Sequence, residues 1–399
     1  MAEGRPLMKI FEPLANTPER AEIRDAIRSI CDRFDDAYWS EKDRLHEFPF
    51  EFSKAIAEGG WLGIAMPVEY GGAGLGVVEA AIMMQEIGRS AGVFAACSTV
   101  HINIFGLHSI VKHGTEWQKQ EWLPKIISGE SRACFGVTEP DAGLDTSRIK
   151  TRAVRHGDHY VINGQKIWTS TAQQADKVVL LARTTPLEQC AKPTDGLTLF
   201  YADLDRAAVE IREIRKMGRH AVNSNQVFYD NMVVPAAARI GEEGKGFRYI
   251  LDSLNSERIL NAAEVIGIGR RALEKAVAYA GERVVFGRKI GQNQSIQHPL
   301  AEAWSELYAA ELMTLHAAEL CDAGKPCGAE ANAAKYLAAD AGFKACDRAI
   351  RTHGGMGYAA EYHVERYFRE MVATQLAPVS REMILNFISE RELGLPKSY

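Results

Sequence analysis

The apolar residues of this chain change their spacing twice. Up to about Ser131 they recur at helical intervals: in AEIRDAIRSICDRF, Ile23, Ile27 and Ile30 fall on one helical face. The stretch MPVEYGGAGLG, Met66 to Gly76, breaks that pattern with turn residues, and VVEAAIMMQEIGR resumes it. From about Ala133 to Pro235 the spacing gives way to short apolar and β-branched runs: HYVINGQKIWTS, KVVLLART, GLTLFYADL and NQVFYDNMVVP. These predict antiparallel strands, and Asn163-Gly164 between two such runs predicts a hairpin turn. From about Gly246 long helical stretches return, among them RALEKAVAYAGERV and HPLAEAWSELYAAELMTLHAAELC, with Pro299 suited to a first helical turn. Helix, sheet and helix in one chain predict an α+β protein. The expected division is an N-terminal helical domain over 1–132, a middle antiparallel β-domain over 133–240 and a C-terminal four-helix bundle over 241–399.

Composition agrees with a folded chain of more than one domain. The 399 residues are 46% hydrophobic and 25% charged. A net charge of -5 argues against a nucleic-acid or anionic-membrane binder. No run reaches the roughly 18 uninterrupted apolar residues of a membrane span. The opening MAEGRPLMKIFEPL has no apolar signal core, so a cytoplasmic protein is expected. Seven cysteines, an odd number without CxxC spacing, read as free thiols in a reducing compartment. There are 11 histidines but no HExxH, and no metal site is expected.

Three glycine-rich segments invite a phosphate-loop reading: GGAGLG at Gly71, GIGRRA at Gly267 and HGGMG at His353. GIGRRA lies inside a helical pattern with no strand before it, so close helix packing explains it better than a dinucleotide fingerprint. GGAGLG lacks a GKS/T ending and reads as a turn. HGGMG follows a helix and precedes an aromatic-rich segment.

Taken together, FGVTEPDAG (Phe135 to Gly143), NGQKIWTS (Asn163 to Ser170), ERVVFGRKIGQNQSIQ (Glu282 to Gln297) and THGGMGY (Thr352 to Tyr358), with EYGGAGLG before them, resemble the acyl-CoA dehydrogenase family in motif, order and spacing. The resemblance covers nearly the whole chain. It implies FAD bound between a β-domain and two helical domains of a homo-oligomer, a homotetramer or homodimer. A flavin needs an apolar wall and a few polar groups aimed at its edge. By resemblance Phe135, Val137, Thr138, Trp168 and Ser170 line it, Trp168 as the wall, and Thr138 and Ser170 as donors. Arg283 and Phe286 resemble positions that hold the pyrophosphate and adenine side of a neighbour's FAD, for which a guanidinium fork is suited. Gln294, Gly354, Gly355, Ser380 and Glu382 match further FAD positions. Two residues depart from the pattern. Leu144 stands where a serine is usual. Arg351, a candidate second cation for the FAD phosphates, stands where many members carry glutamine.

The family oxidises an acyl-CoA thioester to a trans-2-enoyl-CoA: a base takes the α-proton and the flavin accepts the hydride from Cβ. Most members carry that base near the C-terminus. Here the matching position is Pro378, which cannot take a proton and also lacks the N–H that would hold the thioester oxygen. A minority, including the isovaleryl-CoA and long-chain enzymes, carries a glutamate in an ER pair on a helix of the C-terminal domain. LNSERILNAAEVIG supplies this pair as Glu257 and Arg258, with Glu257 the expected base, Arg258 expected at the substrate, and Glu264 in reserve. Electrons would pass to an electron-transfer flavoprotein. A flavin oxidase or monooxygenase on the same fold, and a non-catalytic acyl-CoA-binding protein, remain alternatives. Acyl chain length, and acyl-CoA against acyl carrier protein, stay open; Cys97 to Asn103 is expected near the pocket.

Overall fold

The computed structural model of the chain describes residues 11–398; the opening MAEGRPLMKI, read above for signal features, lies outside them. Helices α1 (Pro18–Cys31), α2 (Asp36–Leu45), α3 (Phe50–Glu58), α4 (Val77–Arg89), α5 (Val93–Phe105), α6 (His108–His113) and α7 (Glu116–Ile127) come first. Strands β1 (Ala133–Gly136), β2 (Arg152–His156), β3 (His159–Ser170), β4 (Lys177–Arg183), β5 (Leu197–Asp203), β6 (Val209–Glu213), β7 (Ser224–Pro235) and β8 (Arg239–Ile240) follow. Helix α8 (Gly246–Glu282) leads through a small hairpin, β9 (Val284–Val285) and β10 (Arg288–Lys289), to α9 (Gln294–Asp322), α10 (Gly328–His353), α11 (Val364–Leu376) and α12 (Arg381–Arg391). This is the expected α+β order of helical, β and helical regions. The residues group into two compact units. One comprises Ala37–Ala80 and Ala95–Arg258; the other comprises the segment through Asp36, Ala81–Phe94 and the chain from Ile259 onward.

The first unit is built on an eight-stranded sheet in the order β6-β7-β3-β2-β4-β5-β8, with β1 beside β4. Val178, Leu180, Ala182, Phe200 and Ala202 join Tyr160, Ile162 and Met232 in one apolar cluster. The alternate residues Val179, Leu181, Leu199 and Tyr201 join Trp122, Leu123 and Ile126 of α7 in another. Strands β4 and β5 are thus buried on both faces, which is why KVVLLAR shows no alternation. A capping box of Thr115 and Gln118 starts α7, and the Gln118 amide donates to the carbonyls of Ala237 and Arg239, both at 2.8 Å.

The sheet departs from the antiparallel expectation on β4, which pairs in parallel with β1 and, at Arg152↔Arg183, with β2. The 40 residues between β1 and β4 supply the long return that parallel pairing requires. Asn163-Gly164 makes no hairpin, because β3 runs straight through it. The turn lies earlier, between the paired His156 and His159, with Gly157 at φ 62°. Gly164 answers a different need: a Cβ there would lie 2.6 Å from the Thr151 Cα. Pro299 also differs from expectation, since α9 begins at Gln294 and carries the proline inside it. Bonds from the Ile296 and Gln297 N–H groups to the Asn293 carbonyl close a turn ahead of it. Residues Val93–His113 are long and apolar enough to cross a membrane by length and composition alone, but 76% of that window is buried, as in a core helix.

The second unit packs the helices after Ile259 with α1 and the end of α4. Here GIGRRA proves to be a packing motif. A Cβ on Gly267 would lie 2.2 Å from the Gln85 carbonyl oxygen, and one on Gly88 would lie 2.4 Å from that of Glu264. Helices α4 and α8 therefore cross in backbone contact. Ion pairs run through this unit, from fully buried to partly exposed. Arg28 forks onto Glu86 with two bonds of 2.9 Å, and Glu311 accepts from Arg270 and from Gln85. Asp36 accepts from Arg271 and Lys275 at 2.9 Å and from Tyr367 at 2.7 Å.

Candidate functional site

In the sheet unit, β1 feeds the chain into Val137, Thr138 and Glu139. Phe135 and Val137 lie at the margin of the cluster that holds Val179 and Leu181. Beside them runs the end of β3. The Ile167 N–H donates to the Thr138 carbonyl at 2.9 Å instead of following the ladder, and the register against β7 slips between Lys166 and Thr169. Such an irregularity re-aims side chains. Trp168 takes φ 61° and is 57% exposed, between the half-buried Ile167 and the buried Thr169. Ser170 follows, its hydroxyl oxygen accepting from Arg219 at 3.0 Å. The structure therefore brings Phe135, Val137, Thr138, Trp168 and Ser170 into one neighbourhood. Leu144 is exposed.

The glutamate and lysine inside these two motifs hold that neighbourhood together, a role the sequence reading missed. Lys166 Nζ, fully buried, donates to the Val137 carbonyl at 2.9 Å and to Glu139 at 2.8 Å. Glu139 also accepts from the Lys150 and Thr151 N–H groups at 2.6 and 2.9 Å. Burial pushes the Glu139 carboxyl up, but Lys166 and these donors outweigh it and hold the carboxyl below its usual range. Burial pulls the Lys166 ammonium down to about 8, with Glu139 opposing. At neutral pH this is an ion pair that fastens the segment carrying Thr138 to the strand carrying Trp168.

Helix α8 starts against the same sheet: a Cβ on Gly246 would lie 2.4 Å from the Leu199 nitrogen. Phe247, Tyr249 and Ile250 join the apolar cluster that Phe135 and Val137 border. Glu257 lies about two turns further along, in the same unit and only 9% exposed. Arg258 reaches back along the helix to the Asn255 side chain at 3.0 Å. Glu264, roughly 10 Å beyond Glu257 along the axis, is 1% exposed and accepts from the Asn261 amide at 3.3 Å. It belongs to the second unit, where its carbonyl faces Gly88.

The second unit holds a cleft of about 590 Å³ whose lining includes Tyr279, Arg283, Asn293, His353, Gly354 and Gly355. Tyr279 and His353 stack with ring centroids 4.3 Å apart, and burial lowers the His353 pKa, disfavouring the charged ring. Gly354 sits at φ 61°, and a Cβ on it or on Gly355 would meet nothing within 4 Å, so open backbone faces the solvent. A guanidinium, bare glycine backbone and a stacked aromatic pair suit a phosphorylated ligand with a flat ring, and FAD is one. Gln294, exposed, opens α9 between the lining residues Asn293 and Ser295. Phe286 tips the β9–β10 hairpin at φ 52° and is 100% exposed, with Val284 and Val285 exposed beside it.

Phe286 and Gln294 flank the cleft without lining it, and Arg351, Ser380 and Glu382 do not line it either. Arg351 is exposed and already paired with Asp347 at 2.8 Å. Ser380 caps α12 by accepting from the Met383 N–H at 3.4 Å, and Glu382 is exposed in its first turn. Before them, Lys335 Nζ donates to the carbonyls of Thr374 and Val379, bracketing Pro378, whose peptide bond to Ala377 is cis.

Comparison with known proteins agrees with this layout. Sequence models of the acyl-CoA dehydrogenase N-terminal, middle and C-terminal domains match residues 17–130, 134–232 and 244–393. Acyl-CoA dehydrogenase fadE12 of Mycobacterium bovis is 37% identical over 383 residues, 96% of this chain and 97% of its own. Butyryl-CoA dehydrogenase from Megasphaera elsdenii superposes with a TM-score of 0.90 at 28% identity, over 96% of this chain and 100% of that one. A chain from structural work on the electron transferring flavoprotein of Acidaminococcus fermentans and flavin-based electron bifurcation superposes with a TM-score of 0.91 at 31% identity, over the same shares. This chain therefore belongs to the acyl-CoA dehydrogenase family, enzymes that act on the CH–CH bond of acyl-CoA thioesters.

Proposed function

We propose that this chain oxidises an acyl-CoA to the trans-2-enoyl-CoA, with Glu257 removing the α-proton and the electrons passing to an electron-transfer flavoprotein. FAD, when bound, supplies the two-electron acceptor. The observation that carries this reading is Glu257 itself. It is a nearly buried carboxylate on α8, in the same compact unit as Thr138, Trp168 and Ser170, while position 378 holds a proline. A carboxylate stripped of water is a stronger base, and the dry setting suits abstraction of a weakly acidic C–H proton. Thr138 and Ser170 offer hydroxyls and Trp168 a wall for the flavin ring, while Arg283 and the Gly354-Gly355 backbone would hold the pyrophosphate of a neighbour's FAD. The fully exposed Phe286 suits the same subunit contact in a homotetramer or homodimer. The structural likeness to the Acidaminococcus fermentans chain supports the choice of electron acceptor.

Glu257→Gln keeps the shape and removes the base. The variant should retain FAD and bind acyl-CoA, yet bleach its flavin about a hundred- to ten-thousand-fold more slowly under anaerobic conditions. Glu264→Gln should lose far less. Wild-type bleaching by Glu257→Gln would sink the assignment, and fast reoxidation of the reduced flavin in air would replace the dehydrogenase by an oxidase.

A further inference from the structure

Arg219, in the loop between β6 and β7, is half-buried and sits at φ 58°. A non-glycine residue in that left-handed region is uncommon, and surroundings that over-determine it keep it there. Its fork collects three serine hydroxyls from three elements. Nη1 donates to Ser98 on α5 at 3.0 Å, and Nη2 donates to Ser170 at the end of β3 at 3.0 Å and to Ser224 at the start of β7 at 2.8 Å. Lys216 Nζ donates to the Arg219 carbonyl at 2.7 Å and closes the loop behind it.

We propose that Arg219 is a positioning residue that makes Ser170 an obligate hydrogen-bond donor toward the flavin; this rests on the reading of Ser170 as flavin-facing. A serine hydroxyl carries one proton and two lone pairs, whereas a guanidinium carries donors only. With Arg219 donating into one lone pair, the Ser170 proton cannot be directed back at Arg219. It remains for an acceptor on the other side. The bond from a cation also polarises the O–H, so the donor strengthens toward a group that gains electron density. The same fork ties this corner to Ser98, in the α5 stretch expected near the substrate. One side chain thus couples the flavin-facing end of β3 to the helix on the acyl side.

The test uses the full chain reconstituted with FAD and measures FAD affinity and the two-electron reduction potential. Arg219→Gln should bind FAD about tenfold more weakly and favour the reduced form about tenfold less, a fall of about 30 mV for a two-electron couple. Ser170→Ala should shift the potential the same way, and Arg219→Gln should add nothing in the Ser170→Ala background. Arg219→Lys, which keeps the charge but cannot bridge three hydroxyls, should give a smaller shift; if the glutamine variant does not fold, this one carries the test. A wild-type potential in the Arg219 variants, or an undiminished shift on top of Ser170→Ala, overturns the proposal alone. A wild-type chain that takes up no FAD overturns it together with the flavin reading beneath it.

Discussion

Glu139→Gln should cost far more stability than its size suggests. The carboxylate faces three donors, and one of them, Lys166 Nζ, is a fully buried ammonium with no other charged partner among the described residues. Removing one member of a buried pair costs about 3–5 kcal/mol. A second route reaches the same figure. The lysine can escape by giving up its proton, and at pH 7 neutralising a side chain whose ordinary pKa is about 10.4 costs at most about 4–5 kcal/mol. The pH dependence separates this mechanism from ordinary loss of packing. In the wild type the Lys166 pKa is about 8, below its unfolded value. The unfolded chain therefore binds the extra proton only above about pH 8, and wild-type stability gains from this group only there. Removing Glu139, which opposes the downward shift, lowers the pKa of the folded lysine further, and a lysine that has shed its proton by pH 7 makes the variant gain about 1.4 kcal/mol per pH unit between pH 7 and 8. The gap between the two proteins should shrink by about that amount over this unit. Urea denaturation followed by tryptophan fluorescence at both pH values measures it. Glu139→Gln combined with Lys166→Met should recover much of the loss, because no buried charge is then left unpaired. A variant within about 1 kcal/mol of wild type at pH 7, or a gap that stays constant to pH 8, would refute the reasoning.

Gly267→Ala should destabilise by about 1–3 kcal/mol or more, since its methyl would sit 2.2 Å from the Gln85 carbonyl oxygen, whereas Gly281→Ala, with nothing within 4 Å, should stabilise by about 0.5–1 kcal/mol; thermal unfolding of the pair compares them. Thr115→Ala removes the cap of α7 and should cost about 1 kcal/mol in the same assay. Asp36 is pushed up by burial but held well below the usual carboxylate range by Arg271, Tyr367 and Lys275. A depressed carboxyl gives stability above its unfolded pKa near 4 and loses it as pH falls below that. Asp36→Asn should therefore be less stable than wild type at pH 7, with the difference narrowing below about pH 4 in acid titrations followed by circular dichroism.

Much of this architecture was legible because its signals are local. KVVLLAR announces a strand buried on both faces, and FGVTEP and NGQKIWTS mark the segments that fold into one corner. What escaped depends on distance in the chain. Glu139 and Lys166 stand inside motifs that were read for their neighbours, and only the fold shows that residues 27 apart in the chain close into an ion pair. Arg219 has no local signature, since its three serines lie 121, 49 and 5 residues away. Asn163-Gly164 misled for the opposite reason: a strong local turn signal was overridden by the close approach of Thr151. The interleaving of chain segments between the two compact units is a long-range property of the same kind.

That interleaving has a consequence for synthesis. The unit that contains α1 also contains everything after Ile259, and roughly 220 residues lie between them. A ribosome adding about 5–20 residues per second needs on the order of 10 to 45 s to cover that interval. Throughout it, Ile23, Ile27 and Cys31, which end up buried in α1, wait without the helices made last. The sheet unit lies wholly upstream of Ile259 and is free to fold first, while α1, made before it, is among the last elements to be housed. A newborn chain of this design therefore carries the apolar stripe of α1 unhoused through that whole interval, a natural target for chaperones that bind emerging polypeptide.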